Sequence, residues 1–220
     1  TAYEISLGLV GSEMCIRDRF NTFRIPISRL LLDSRALISI CRAKTHDTVI
    51  VTLTLKNVAV GGIVGAENRR LIHQGYAAIN INIAILAGVM FPDIGIVDGR
   101  VGMEGEGPVW GDEKVWGICV AGENPLHVDA ITCRGMGFEP RDVGYLYYLD
   151  RMGFGGLGDV SQVVIPRTRF RPHPTYRTQL LWRLRQSFEE EIIHKAIGII
   201  RKYSRARKYL DLSMATRSDQ

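Results

Sequence analysis

The sequence predicts an α/β fold: a mostly parallel or mixed sheet flanked by helices, incomplete at its N-terminal side and followed by a basic amphipathic C-terminal helix. Short apolar runs rich in β-branched residues alternate along the chain with segments of helical periodicity. Glycine-rich or polar turns separate these segments. This alternation is typical of a sheet that helices cover on both faces.

The first half of the chain contains one clear strand and two ambiguous segments. Residues 35–40 form an apolar run that predicts a buried strand. Residues 48–60 are rich in β-branched residues, but Thr48 would also suit the start of a helix that ends at the glycine pair 61–62. Residues 76–89 carry isoleucines that fit either a strand or a helix face. We favour a helix for both ambiguous segments.

The second half alternates more clearly between strands and helices. Strands are predicted at residues 93–98, 115–121 and 161–165, and helices at residues 126–136 and 140–152. The first of these strands runs into a glycine-rich loop at residues 99–111. These elements define a partial α/β domain of residues 20–166.

The C-terminal segment, residues 167–220, has 13 Lys and Arg against 5 Asp and Glu. It predicts a proline-broken linker and then a long helix from Tyr176 to about Leu210. Apolar residues recur there at steps of three or four, at Leu181, Leu184, Phe188, Ile192, Ala196, Ile200 and Tyr203. We expect this stripe to dock on the core of its own domain, with a dimer contact or a membrane-surface helix as alternatives. Nucleic-acid binding is disfavoured because aromatic stacking platforms are lacking.

The first nineteen residues are interpreted as the translation of a sequencing-library adapter and are excluded from the fold prediction. Native sequence is then expected to start near Phe20, with the N-terminal part of the domain missing. The strand at residues 35–40 would lack neighbours on that side and would expose an apolar sheet edge.

Composition narrows the class of protein further. The chain is 46% hydrophobic and 23% charged, which is ordinary for a soluble globular protein. Outside the adapter-like segment the cysteines are Cys41, Cys119 and Cys133, and their odd number and wide spacing predict reduced thiols in a cytoplasmic protein. Because no Cys-x-x-Cys occurs, this chain is expected to ligate no iron–sulfur cluster itself.

The first candidate site follows the strand at residues 35–40 and contains Lys44, His46 and Asp47. Histidine titrates near neutral pH and serves as acid, base or metal ligand. A lysine two residues away can hold an anion or a carbonyl substrate. These side chains converge if the segment leaves the strand as an irregular loop.

Four more polar residues are candidates, and each has a plain structural alternative. Lys56 and Asn57 extend the site if their segment folds back over it; otherwise they are a surface lysine and a helix cap. Asp129 points into the cleft or interacts with the N-terminus of its own helix. His73 is an isolated candidate. The remaining histidines, His127, His173 and His194, have no supporting neighbours in the sequence.

The second candidate site is the glycine-rich loop that follows Asp98. Its glycines permit close backbone approach, and the N–H groups of such loops can form an anion-binding nest. The carboxylates of Asp98, Glu104 and Glu106 would repel a bare phosphate, and they suit a divalent metal or acid–base chemistry. We expect Asp98 and Glu104 to be the metal ligands. The alternative is a tight connecting turn with exposed glutamates.

Several motifs occur in the order and spacing of one known family. They are Lys44-Thr-His-Asp47, Thr52-Leu-Thr-Leu-Lys-Asn57, His73, Val97-Asp-Gly99, Met103-Glu-Gly-Glu-Gly-Pro108, Gly111, Asp129-Ala130 and Met136-Gly-Phe-Glu-Pro140. Over roughly residues 37–165 the chain resembles domain of unknown function 362, often labelled an uncharacterised iron–sulfur-centre protein. Because members often carry a ferredoxin-like segment with four-cysteine clusters, the resemblance implies a redox-linked domain. This chain has a basic helical tail where such a segment can follow.

Two functions are compatible with this resemblance. The first is a redox-linked enzyme acting on a small anionic substrate, with Lys44, His46, Asp47 and Lys56 as the catalytic group. Its substrate-binding residues would be Thr52, Asn57, His73, Gly105, Gly107, Pro108, Gly111 and Asp129. The second is a non-catalytic module that binds a ligand or a ferredoxin-like electron-transfer partner through its basic tail. Any iron–sulfur cluster would belong to that partner.

Overall fold

The computed structural model describes the backbone of residues 13–17 and 22–204, and the side chains of residues 25–184 and 190–204. The strands are β1 (Glu13–Arg17), β2 (Thr22–Pro26), β3 (Ile38–His46), β4 (Ile50–Thr52), β5 (Ile94–Glu104) and β6 (Asp112–Gly122). The α-helices are α1 (Arg29–Asp33), α2 (Thr54–Gly61), α3 (Tyr76–Val89), α4 (Pro125–Gly135), α5 (Gly144–Arg151), α6 (Tyr176–Gln179) and α7 (Glu189–Tyr203). Segments of 3₁₀-helix span Glu67–Ile72, Pro140–Asp142 and Leu180–Phe188.

The main sheet is mixed, as the sequence predicts, with the strand order β4-β3-β5-β6. β3 and β5 run parallel, with α2 and α3 in the connection between them, and β4 and β6 run antiparallel to their neighbours. β1 and β2 form a separate antiparallel pair. β1 lies within the segment interpreted as adapter-derived, and that interpretation remains a prediction.

Within the described residues, helices cover only one face of the main sheet, so the prediction of two covered faces is wrong. Val97 on β5 is fully buried beneath the helices, whereas Ile38 and Ile40 on β3 are 50% and 62% exposed on the other face. β4 pairs only with the last three residues of β3. The edge of β3 before Lys44 is therefore unpaired in the described structure. The predicted absence of an N-terminal part of the domain remains a prediction.

α3 occupies the centre of the helical layer and resolves one sequence ambiguity. Nearly every residue from Ala78 to Val89 is buried, because α2, α5 and α7 all pack against this helix. A helix that is enclosed on all sides carries apolar residues all round, which explains why its isoleucines also fitted a strand pattern. No helix within the described residues is long and apolar enough to cross a bilayer.

The sequence left residues 48–60 ambiguous between a strand and a helix, and the structure contains one of each. β4 comes first and α2 follows, ending at Gly61 as predicted. Thr48 does not cap α2; it lies in the turn between β3 and β4. The strand predicted at residues 161–165 does not form: that segment makes no strand pairing, and Val164 is 91% exposed.

The C-terminal segment is not a linker followed by one continuous helix. Backbone hydrogen bonds join Thr168 to Gly135 and Phe170 to Met136, so the first part of this segment lies against the domain. α6, a 3₁₀ segment and α7 follow. The 3₁₀ turn has three residues per turn rather than 3.6, and Trp182 is buried there while Leu181 and Leu184 are exposed.

α7 confirms the expectation that the apolar stripe docks on the core of its own domain. Ile193, Ala196 and Ile200 are buried. A side chain at Gly88 of α3 would collide with Ile200, so the two helices approach closely at this glycine. The predicted end of the helix, residues 205–210, lies outside the described residues.

Candidate functional site

The candidate site is built on the β3–β4 hairpin rather than on an irregular loop. β3 continues through Lys44 to His46, and Lys44 pairs with Thr52 while His46 pairs with Ile50. Because side chains alternate between the faces of a strand, Lys44, His46 and Thr52 lie on one face. The predicted convergence of Lys44 and His46 therefore arises from strand periodicity. The hydroxyl of Thr52 is buried without a hydrogen-bond partner in the described structure.

The ring of His46 is held through Nδ1. Nδ1 lies 2.9 Å from a carboxylate oxygen of Asp47, 3.0 Å from the hydroxyl of Thr48 and 3.1 Å from the Thr48 amide. Asp47 and Thr48 make opposite demands on Nδ1: the carboxylate can only accept and needs a proton there, whereas the Thr48 amide donates to Nδ1 and needs a lone pair there. We assign the proton to Nδ1, at the cost of the Thr48 contact, because a hydrogen bond to a charged acceptor is the stronger of the two. Nε2, which has no partner among the described residues, then keeps its lone pair.

Burial and charge keep His46 neutral. His46 is 4% exposed. Desolvation lowers its pKa to about 4, the hydrogen bond with Asp47 opposes this change, and the charges of Lys56 and His73 add to it. The hydrogen bond from His46 lowers the pKa of Asp47 to about 2, so the pair at neutral pH is a neutral imidazole oriented by a carboxylate.

Lys56 is a buried lysine in the first turn of α2. It is 8% exposed, and its amine makes no hydrogen bond or ion pair with any described residue. Desolvation lowers its pKa to about 8; the charge of Asp47 opposes this shift and the charge of Lys44 adds to it. The alternative of a surface lysine is therefore excluded, and α2 does fold back over the site.

Asp129 is fully buried and caps the N-terminus of α2, not that of its own helix α4. One carboxylate oxygen accepts from the Thr54 amide at 2.9 Å and from the Thr54 hydroxyl at 2.6 Å, and the other accepts from the Leu55 amide at 3.0 Å. Burial raises the pKa of Asp129 to about 7, and the three donors oppose that rise. Asp129 thus positions the helix that carries Lys56.

The C-terminal segment makes contacts with the β3–β4 hairpin that no sequence pattern indicated. The side chain of Gln179, fully buried, donates to the carbonyl of His46 at 2.9 Å and accepts from the Ile50 amide at 2.6 Å. The hydroxyl of Thr175 donates to the Asp47 carbonyl at 2.7 Å. The charge of His173 helps to lower the pKa of Asp47. More than 120 positions separate these residues from the hairpin, so only the fold brings them together.

The glycine-rich loop is shorter than predicted and packs beside the hairpin. β5 and β6 take up most of the predicted loop and leave residues 105–111 between them. The Thr45 hydroxyl donates to the Gly105 carbonyl at 3.0 Å. The Gly105 amide donates to the Arg171 carbonyl and the Gly107 amide to the Gly105 carbonyl. These two amides already have acceptors, so they are not available for the anion-binding nest that such a loop can form.

Gly111 and Pro108 were also predicted to bind substrate, and both lie in the turn that leads into β6. A Cβ at Gly111 would overlap the Glu104 carbonyl, so this glycine permits the chain to turn back into β6. Pro108 is half-buried in the same turn. The contacts of this loop support β3 from the side.

Gly107→Ala is expected to lower the free energy of unfolding by about 2–3 kcal/mol. A Cβ at this position would overlap the backbone carbonyl of Thr45, and neither backbone can move without disturbing the β3–β4 hairpin. Chemical denaturation followed by circular dichroism measures the change. Gly158→Ala is the matched control, since a Cβ there meets open space. Equal stability of the two variants would contradict the close contact.

Asp98 and Glu104 do not form the predicted metal site. Both lie on β5, six residues and roughly 20 Å apart along the strand at about 3.3 Å per residue. Asp98 accepts from the Arg100 amide, while Glu104 pairs with Lys114 at 3.5 Å. In the described part of the chain, no three His, Cys, Asp or Glu side chains group closely enough to hold a metal ion.

Asn57 and His73 lie at the margin of the site. The Asn57 amide donates to the Ser39 hydroxyl and to the Ile40 carbonyl, which ties α2 to the unpaired edge of β3. Asn57 is therefore neither a helix cap nor a group that faces the lysines. His73 is exposed, and its ring contacts the Arg69 carbonyl at 2.8 Å.

A small cavity of about 140 Å³ adjoins the site at Lys44. Its lining residues are Arg42, Lys44, Val101, Gly102, Met103, Asp112 and Glu113. Lys44 thus connects the cavity to the cluster, whereas His46 and Lys56 lie outside the lining. The volume is below the several hundred Å³ of pockets for larger organic ligands and fits a small one.

These features define an α/β domain with a Lys–His–Asp cluster at the end of a strand hairpin, in which His46 and Lys56 are buried, Lys44 is half-buried and Asp47 is exposed. The chain belongs to the family described as domain of unknown function (DUF362), whose model matches residues 11–134. The match includes the hairpin, α2, α3, β5, β6 and nearly all of α4. It ends before the segment that contains His173 and Gln179.

One relative is a thylakoid-associated protein of the cyanobacterium Synechocystis sp.. The two chains are 25% identical over 140 residues, which is 62% of this chain and 42% of the relative. The chain therefore spans less than half the length of that protein. No solved structure matches this chain.

Proposed function

We propose that this domain belongs to an enzyme that binds a small anionic substrate at the Lys–His–Asp cluster, defined as Lys44, His46, Asp47 and Lys56. The observation that carries the proposal is the pair of lysines without counter-ions. Neither Lys44 nor Lys56 makes an ion pair with a described residue, although the two lysines lie close enough to each other to interact electrostatically. Two neighbouring cations that make no ion pair favour the binding of an anion, and the charge of Asp47 offsets only part of this effect.

The chemistry of the cluster suits proton transfer on such a substrate. Nε2 of neutral His46 is free to accept a proton, and Asp47 orients the ring through Nδ1 and stabilises the imidazolium that forms. Lys44 faces the small cavity and would hold the anionic group. The unpartnered hydroxyl of Thr52, opposite Lys44, supplies a further polar contact.

The link to electron transfer rests on the family resemblance alone. A ferredoxin-like partner would supply the iron–sulfur cluster, since no Cys-x-x-Cys occurs here. The alternative function, a binding module that docks through its basic tail, is supported by the exposed Arg201 and Lys202 at the end of α7. The two functions differ in whether the bound anion is converted.

The proposal is tested by measuring calorimetrically whether the full chain binds phosphate, acetate, oxalate or pyruvate. Lys44→Gln is expected to weaken binding at least ten-fold, because it removes the cation that faces the cavity. Lys202→Gln is the matched control on an exposed lysine and is expected to leave affinity unchanged. If none of these anions binds, or if the control weakens binding equally, the proposed site is wrong.

His46→Ala separates the enzyme from the binding module. For an anion that the wild type converts, the variant is expected to retain binding and to lose turnover by at least a hundred-fold, the usual contribution of a general acid–base group. Circular dichroism checks that the variant is folded. Full turnover in this variant would reject the role of His46, and binding without conversion in the wild type would favour the binding module.

A further inference from the structure

Lys56 lies in an environment that opposes a positive charge in four separate ways. Its side chain is almost fully buried. Its amine makes no hydrogen bond or ion pair with a described residue. Its position in the first turn of α2 is at the positive end of the helix dipole, where cations are disfavoured. Lys44 adds a second cation nearby.

A lysine in such surroundings serves as a nucleophile in its neutral form, in addition to acting as a cation in its protonated form. The neutral amine attacks carbonyl groups, and enzymes prepare it by desolvation or by a neighbouring cation. Both means are present here, and they agree with the lowered pKa of about 8 that burial gives Lys56. Anion binding by itself would be served better by an exposed, fully charged lysine.

We propose that Lys56 forms a Schiff base with a small 2-oxo acid whose carboxylate is held by Lys44. This inference rests on the proposed anion site and names its substrate class. A 2-oxo acid carries the anionic group that Lys44 requires beside the carbonyl carbon that Lys56 requires. The small cavity is lined by Lys44 and not by Lys56, so it would take only the carboxylate end of the substrate, which suits the shortest members of the class.

The condensation needs no oxidant or reductant. The amine nitrogen of Lys56 attacks the carbonyl carbon, a C–N bond forms and the C=O π electrons move to oxygen, which takes up a proton from solvent. The nitrogen loses one proton, and Nε2 of His46 is the base that accepts it. The resulting carbinolamine expels its hydroxyl group as water with a proton from the imidazolium, and the nitrogen lone pair forms the C=N bond.

The full chain is incubated with pyruvate at pH 8 and treated with sodium borohydride, which reduces a Schiff base to a stable secondary amine. Intact-mass and peptide mass spectrometry then locate the adduct. We expect modification at Lys56 in the wild type and in Lys195→Arg, a control on an exposed lysine. Lys56→Arg keeps the charge and is expected to show no adduct at residue 56. His46→Ala is expected to form the adduct at least a hundred-fold more slowly.

Calorimetric binding of pyruvate, measured in parallel, distinguishes the two proposals. Binding without an adduct at Lys56 overturns the Schiff base and leaves the anion site intact, whereas no binding overturns both. Adducts spread evenly over exposed lysines also overturn the inference, as does an unchanged rate in His46→Ala. Lys56→Arg should still bind pyruvate without a covalent bond, because Lys44 remains.

Discussion

Asp129→Ala is expected to lower the free energy of unfolding by about 4 kcal/mol, one of the two largest effects of a single substitution that we expect. The carboxylate accepts three hydrogen bonds at the start of α2, from the Thr54 amide, the Thr54 hydroxyl and the Leu55 amide. Alanine would leave these buried donors without acceptors and would open a cavity among fully buried residues. Chemical denaturation measures the loss.

Asp129→Asn gives a graded comparison. An asparagine oxygen can replace only one of the two acceptor positions, and its amide group would face a donor, so we expect a loss of about 2–3 kcal/mol. Asp33→Ala is the matched control: this exposed aspartate pairs with Arg29 one helical turn away. If Asp129→Ala is no less stable than this control, Asp129 does not organise α2.

Lys56→Met is expected to raise the free energy of unfolding at neutral pH by about 2–3 kcal/mol. The folded protein holds the amine with a pKa near 8, against 10.5 for an ordinary lysine. Each unit of difference corresponds to about 1.4 kcal/mol, and methionine keeps most of the apolar stem. A substitution that stabilises the fold and abolishes adduct formation is typical of a functional residue.

The pH dependence identifies the titrating group. Between about pH 8 and 10.5 the unfolded chain keeps the lysine proton that the folded chain has lost, so this group makes stability rise with pH in that window. The stability advantage of Lys56→Met is therefore full below about pH 8 and disappears by about pH 10.5. Lys195→Met, on an exposed lysine, is expected to show no such trend. An advantage of Lys56→Met that does not vary with pH would contradict the lowered pKa.

Local patterns predicted most of the helices and strands of the central domain. The helix at residues 76–89 has the predicted bounds, since a glycine precedes it and the Met-Phe-Pro sequence follows it. The predicted strand at residues 161–165 failed because an apolar run needs a partner strand, and no strand among the described residues pairs with Val163 or Val164. The long C-terminal helix failed for a related reason: burial of Trp182 competes with the stripe that contains Leu181 and Leu184.

The sequence predicted that Lys44 and His46 would converge, and they do so for a different structural reason. Lys44 and His46 converge because they are two residues apart on a strand, although the sequence suggested a loop. Lys56 joins them because α2 folds back, which the sequence left conditional. The pairing of Asp98 and Glu104 failed because an extended strand holds them far apart, whereas a loop would have allowed them to meet.

The sequence alone predicted the α/β class, the family and four polar residues that the fold brings near one another, Lys44, His46, Asp47 and Lys56, because these depend on composition, order and spacing along the chain. Only the tertiary structure decided which charges are buried, which partners they have and which distant segment supports them. Asp129 caps a helix that it does not belong to, and Gln179 bridges the two strands of the hairpin. Hydrogen bonding and desolvation depend on distances in space, and separations along the chain do not encode those distances.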